Sequence, residues 1–149
     1  MAAHHRTFYD KMKNIAIFAS GNGTNAQALI DYFSSRSTAR IALLVSNRTN
    51  AYAIERAKAH KIPTERISSK TPPQEVIERL HSYRIDWIVL AGYLALIPKE
   101  LIAEYTRNII NLHPALLPKF GGKGMHGEHV HQAVLAAHET RSGITIHYV

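Results

Sequence analysis

NIAIFASGNGTN, residues 14–25, is the stretch whose reading decides the fold. Asn14 to Ala19 form a short apolar run, and Ser20-Gly21-Asn22-Gly23-Thr24-Asn25 follows at once. Ala26, Leu29, Ile30 and Phe33 then recur at helical spacing as far as Ser34 and Ser35, so the segment reads as strand, glycine loop and helix. Glycine lets backbone approach a ligand, and a helix N-terminus offers unpaired N–H groups with a partial positive charge; such a turn suits a phosphate. Gly21-x-Gly23-x-x-Ala26 also fits the dinucleotide fingerprint. That pattern needs an acidic residue at the end of the second strand, where this chain has Ser46-Asn47-Arg48. A mononucleotide-sized phosphate ligand is the preferred reading, with NADP held through Arg48 and a merely tight turn as alternatives.

The same alternation continues outward. Ile41–Asn47 reads as a second buried strand, and Asn50 as the cap of a helix carrying Ala53, Ile54 and Ala57. Ile62–Ile67 is a weak third strand, placed at or near an edge by Pro63. Thr71-Pro72-Pro73-Gln74 has the form of a capping box ahead of a helix with Val76, Ile77 and Leu80. Trp87–Gly92 is a continuous apolar strand, Pro98 opens a helix through Leu101, Ile102 and Tyr105, and Ile109 begins what reads as the central strand. After a glycine-rich loop, a helix through Val130, Ala133, Val134 and Ala137 leads to the strand Ile144–Val149. Short apolar strands alternating with helices predict an α/β protein, an open and mostly parallel sheet with helices on both faces. Ligands of such sheets bind beyond the carboxyl ends of the strands, so Ser20–Asn25, Gly92–Ile97 and Asn111–Pro118 are expected to converge on one crevice.

Within that crevice, Asn111 and His113 are two apart on a strand that ends at Pro114. A strand alternates its side chains, so both polar heads share a face while Ile110 and Leu112 point the other way. An amide that can stabilise an oxyanion beside an imidazole that can carry a proton suits acyl transfer. The competing reading is two polar side chains satisfied by neighbouring backbone.

The rest of the composition narrows the chemistry. With 149 residues the chain is one domain, and without cysteine it has no disulfide, thiolate metal site or cysteine nucleophile. The first 13 residues read as a flexible extension without the character of a secretory signal, and no apolar run approaches a membrane span, so the cytoplasm is the expected setting. The net charge of +7, from 18 Lys and Arg against 11 Asp and Glu, is spread along the chain. That favours small anionic substrates over a nucleic-acid groove and suggests no membrane partner. Oligomeric state cannot be read. His126, His129 and His131 with Glu128 invite a metal reading, but residues two apart on a helix do not share a face and no thiolate completes a set, so no metal is expected. Lys119 and Lys123 among glycines lack the G-K-[ST] order of a P-loop. His147 is compatible with the crevice face or with the core.

Ser20–Asn25, Leu90-Ala91-Gly92-Tyr93, Asn111–Pro118 and Gly143–Tyr148, in this order and spacing, resemble the phosphoribosylglycinamide formyltransferase family from about Asn14 to the last residue. The resemblance implies a Rossmann-like formyltransferase fold over residues 14–149. It also implies transfer of the formyl group of 10-formyltetrahydrofolate to the amine of glycinamide ribonucleotide, a step of purine synthesis. It places the ribonucleotide phosphate on Gly23, Thr24 and Asn25, the folate pterin along Leu94, Ala95, Leu96 and Ile97 with Asn111, and the catalytic pair on Asn111 and His113. The family's third catalytic residue, an Asp, follows the Ile146-His147-Tyr148-Val149 strand, as do the rest of its folate loop and a C-terminal helix, so the resemblance implies a family domain without its C-terminal part. Ser68–Gln74 is shorter than the family loop that brings an arginine to the folate, and that role is not assigned. The methionyl-tRNA formyltransferase catalytic half and a non-catalytic phosphate-binding module are the alternatives.

Overall fold

The computed structural model describes residues 11–149. Most of the expected N-terminal extension, residues 1–10, lies outside that range, and Lys13 already belongs to the first strand. The elements alternate: β1 (Lys13–Phe18), α1 (Thr24–Phe33), β2 (Ala39–Ser46), α2 (Tyr52–Ala59), β3 (Thr64–Arg66), α3 (Pro73–Ser82), β4 (Trp87–Leu90), α4 (Lys99–Glu104), β5 (Ile109–His113), α5 (Glu128–Ala136) and β6 (Thr145–Tyr148). They form one six-stranded sheet in the order β3-β2-β1-β4-β5-β6, parallel except for β6.

Both faces of the sheet are covered because its strands are apolar on both sides. Ala16, Phe18, Leu43, Val45, Ile88, Leu90 and Ile109 pack against α3 and α4 through Val76, Ile77, Leu80 and Leu101. Ile15, Ile17, Leu44 and Val89 pack on the opposite face against Ala26 and Ile30 of α1 and Ala53 and Ala57 of α2. Phe18, Ile17, Leu43 and Leu44 are wholly buried. Burying each such side chain is worth about 1.5–3 kcal/mol, so these rows hold the sheet between its helix layers.

Three expectations need correction. Ala51, not Asn50, is the N-cap of α2, and no side chain caps that helix; its first N–H groups turn instead to backbone, with the Ala53 amide donating to the Gly21 carbonyl at 3.1 Å. The capping box at Thr71 does not form. Pro72 is the N-cap of α3, and the Thr71 hydroxyl accepts from the Ser68 amide at 2.9 Å, closing its own turn instead. The strand that begins at Ile109 is not central: β1 and β4 hold the middle and β5 is one in from the edge. Within this mostly parallel sheet β6 runs antiparallel, pairing Thr145 with His113 and Tyr148 with Ile110. Its first residue therefore lies at the carboxyl ends of the parallel strands. The edge position of β3, with Pro63 just ahead of it, agrees with the sequence reading.

The order reverses between β1 and β4. The connection leaving β1 runs to α1 on one face, and that leaving β4 runs to α4 on the other, which opens a crevice between them.

Candidate active site

Ser20 closes the bottom of that crevice. It is 1 % exposed, two residues past the end of β1. Its amide donates to the Gly92 carbonyl at 3.0 Å, and its hydroxyl accepts from the Leu94 amide at 2.9 Å while donating to Asn47 Oδ1 at 2.6 Å. One buried hydroxyl thus joins the loops that follow β1, β2 and β4. It also occupies the Asn47 side chain at the strand end where a ribose-holding carboxylate would stand in a dinucleotide fold.

The glycine turn is built for close approach. Gly23 is the N-cap of α1 with φ +76°, and a Cβ there would lie 2.6 Å from the Ala53 Cβ, so a side chain meets both a strained backbone and the first turn of α2. The Arg56 guanidinium donates to the Asn22 carbonyl at 2.8 Å and to its Oδ1 at 3.1 Å, bracing the turn from the α2 side. Thr24 opens α1, and no side chain caps its first N–H groups.

Across the crevice, Asn111 and His113 share the face of β5 that carries Ile109, while Ile110 and Leu112 pack on the other. Asn111 faces His147 on β6, with Nδ2 and Nε2 3.0 Å apart. The His147 Nδ1 lies 3.0 Å from the Tyr148 carbonyl, which can only accept, so Nδ1 carries the proton and Nε2 presents a lone pair. The Asn111 amide therefore donates one N–H to His147 and keeps its second N–H. His147 faces the crevice, which resolves the choice that sequence left open. His113 is buried, and its Nε2 donates to the Phe120 carbonyl at 2.7 Å, leaving Nδ1 without a partner among the described residues. Thr145 anchors the intervening loop, its hydroxyl donating to the Ala115 carbonyl at 2.7 Å and accepting from the Leu117 amide at 3.1 Å.

Two hollows meet at the pair. A cleft of about 330 Å³ is lined by Asn25, Tyr93, Asn111, His113, His126 and His131 among others. A larger groove of about 920 Å³ runs along Leu94, Ala95, Leu96 and Ile97, with Leu90 and Ile102 at its base and Asn111, His113 and His147 at its side. Burial pushes the Tyr93 phenol up from its ordinary range. Of the predicted residues, Asn25, Asn111, His113 and Leu94–Ile97 are brought together. Gly23 and Thr24 stand at the head of α1 but do not line either hollow. His126 and His131 line the smaller cleft, while His129 is exposed with its ring edge-on to His126 at 5.6 Å. Among the described residues, no group of three or more His, Asp or Glu is placed to hold a metal ion. No helix among them is long and apolar enough to cross a membrane. Sequence reasoning placed Ser20 at the crevice but missed the bridging role of its hydroxyl, and it missed the His147–Asn111 contact. A buried hydroxyl at a strand end was a visible signal for the first; the cross-strand pairing that creates the second has no local signature.

A mostly parallel α/β sheet with a glycine turn heading its first helix and an Asn/His pair at the crevice defines the class, and the formyl transferase family model matches residues 13–149. The chain is 39 % identical over 145 residues to phosphoribosylglycinamide formyltransferase of Bacillus subtilis, covering 93 % of this chain and 72 % of that one. It belongs to the phosphoribosylglycinamide formyltransferase family. The chloroplastic enzyme of that name from Arabidopsis thaliana is 40 % identical over 147 residues, covering 93 % of this chain and 50 % of its own length. The crystal structure of glycinamide ribonucleotide transformylase 1 from Geobacillus kaustophilus superposes with a TM-score of 0.81 at 41 % identity, over 93 % of this chain and 74 % of that one. The chain thus spans about half the length of the plant relatives it matches.

Proposed function

We propose that this chain carries the formyl-transfer site of a phosphoribosylglycinamide formyltransferase, moving the formyl group of 10-formyltetrahydrofolate to the amine of glycinamide ribonucleotide, with the cytoplasm as its setting. The observation that carries the reading is the meeting of two hollows at one Asn/His pair. The smaller leads toward Asn25 and the head of α1; the larger is walled by Leu94–Ile97. The uncapped N–H groups at the head of α1 suit the ribonucleotide phosphate on Gly23, Thr24 and Asn25. The apolar wall and its volume suit a flat heteroaromatic ring, with Asn111 at its reacting end.

In the proposed reaction the ribonucleotide amine attacks the formyl carbon, a C–N bond forms, the bond to folate N10 breaks, and one proton passes from the attacking nitrogen to N10. The second N–H of Asn111 and the Nδ1 side of a protonated His113 oppose the charge that grows on the formyl oxygen. Losing one such donor costs on the order of 3 kcal/mol in comparable hydrolases. Holding both substrates in one crevice lowers the barrier further by orientation. In the family that the resemblance points to, a third residue, an Asp, orients the imidazole.

The test is a formyl-transfer assay on protein of verified intact mass, with ribonucleotide binding measured by calorimetry. Should the 149 residues alone be inactive, a chimera continuing with the Bacillus subtilis segment that follows the matched region is assayed in the same way. Asn111→Ala and His113→Ala are expected to lower turnover at least about 100-fold while leaving ribonucleotide binding within about threefold. Turnover that survives in both variants while binding is lost would overturn the assignment.

A further inference from the structure

The amino ends of the strands, away from Asn111 and His113, carry a further concavity of about 550 Å³. It lies between the start of β2, the α2–β3 turn and the α3–β4 turn, and Arg40, His60, Lys61 and Arg84 line it. The three basic residues among them are scattered at positions 40, 61 and 84 in the sequence, and only the sheet brings them together. The lining contains no carboxylate, and Arg40, Lys61 and Arg84 take part in no ion pair among the described residues. The nearby acids face other partners, apart from Asp31, which stands beside His60 of the lining. Glu65 is held by Arg79 at 3.3 Å and accepts from the Tyr83 hydroxyl at 3.2 Å; Asp86 accepts from the Asn14 amide at 2.8 Å; Asp31 lies 4.0 Å from His60.

The cluster is also held in place. Asn14, only 6 % exposed, accepts from Arg40 Nε at 2.7 Å through Oδ1 and donates to the Arg84 carbonyl at 3.0 Å through Nδ2. One buried side chain therefore fixes the Arg40 head and the turn that presents Arg84, leaving the terminal nitrogens of Arg40 without a hydrogen-bond partner among the described residues. Lys61 and Arg84 occupy left-handed positions, φ 56° and 53°, where glycine or asparagine would be the least strained choice. Three permanent charges around one hollow leave a monoanion overmatched, and a guanidinium fork suits phosphate oxygens. Ile41, Ile62 and Pro63 give the same hollow an apolar wall.

We propose that this cleft binds an organic phosphate carrying two or more phosphate groups, at a site separate from the glycine turn. Inorganic pyrophosphate and adenosine triphosphate are the probes, titrated into the isotope-labelled chain at physiological ionic strength, where charges beyond about 8 Å are screened. The amide resonances of Lys61 and Arg84 are expected to move with both probes, and at lower concentration with the triphosphate. The double variant Lys61→Asn with Arg84→Asn keeps residues that tolerate the left-handed backbone. It is expected to weaken that response at least about tenfold while the resonances of Thr24 and Asn25 respond as before. Arg40→Gln, in an exposed side chain, gives an independent check with the same direction. Shifts confined to residues 22–25, or pocket shifts that persist undiminished in both variants, would overturn the proposal without touching the formyl-transfer reading.

Discussion

Replacing Ser20 with alanine removes one oxygen and tests how the crevice is held open. The residue is 1 % exposed, and its hydroxyl serves Asn47 Oδ1 at 2.6 Å and the Leu94 amide at 2.9 Å. Alanine fits the same space, so packing contributes little. Two hydrogen bonds go, and both partners sit close enough to solvent to recover water, which puts the loss at about 1–3 kcal/mol. For a domain of this size that lowers the thermal midpoint by roughly 3–10 °C. The sharper readout is local. Leu94 heads the wall of the larger groove, and its amide is expected to exchange with solvent about 10- to 30-fold faster in Ser20→Ala. Amides in the middle of β1 and β4 should change only by the global loss. Ser20→Thr, which restores a hydroxyl, should recover part of the protection. A Leu94 amide that exchanges at its original rate in Ser20→Ala would refute the view that this hydroxyl tethers the wall.

Other outcomes follow from the same geometry. Gly23→Ala places a Cβ 2.6 Å from Ala53 Cβ at φ +76°, and is expected to lower the urea-unfolding stability by about 1–3 kcal/mol or more. Gln74→Ala should leave stability within about 0.5 kcal/mol, because the capping box it would serve does not form; a loss above 1 kcal/mol would contradict the observed cap. Tyr105, whose buried hydroxyl lacks a partner among the described residues, has its phenol pushed up to about 12 by burial and then by Glu104 and Asp86. The folded state therefore holds this proton above pH 10 where the unfolded chain releases it. Its stabilising contribution is full below about pH 10 and falls away between about pH 10 and 12. Tyr105→Phe should flatten that alkaline decline in denaturant titrations while costing little at pH 7.

The legibility of the chain followed the range of each interaction. Alternating strand and helix, the glycine turn and the edge placement of β3 depend on local periodicity and on Gly23 or Pro63, and they could be read from a dozen residues at a time. The shared face of Asn111 and His113 was equally local, since it follows from the pleat. Helix starts were less legible. Asn50 and Thr71 have capping chemistry, but backbone partners such as the Gly21 carbonyl, or their own turns, determined where α2 and α3 begin. The antiparallel course of β6 depends on the length of the connection after β5 and on what it packs against, neither of which leaves a local pattern. The gathering of Arg40, Lys61 and Arg84 is wholly a product of strand order, which is why a charge that looks dispersed along the chain is concentrated in space.

The bond between Asn111 and His147 ties the orientation of that amide to β6, which among the described residues pairs with β5 alone. Edge strands open by partial, sub-global fluctuations at lower free energy than strands flanked on both sides. Each time β6 peels from β5, the Asn111 amide loses the partner that aims it, while β1 and β4 remain intact. Heating should therefore misalign the amide before the body of the sheet melts, so the loss of site geometry and the loss of secondary structure would have separate midpoints.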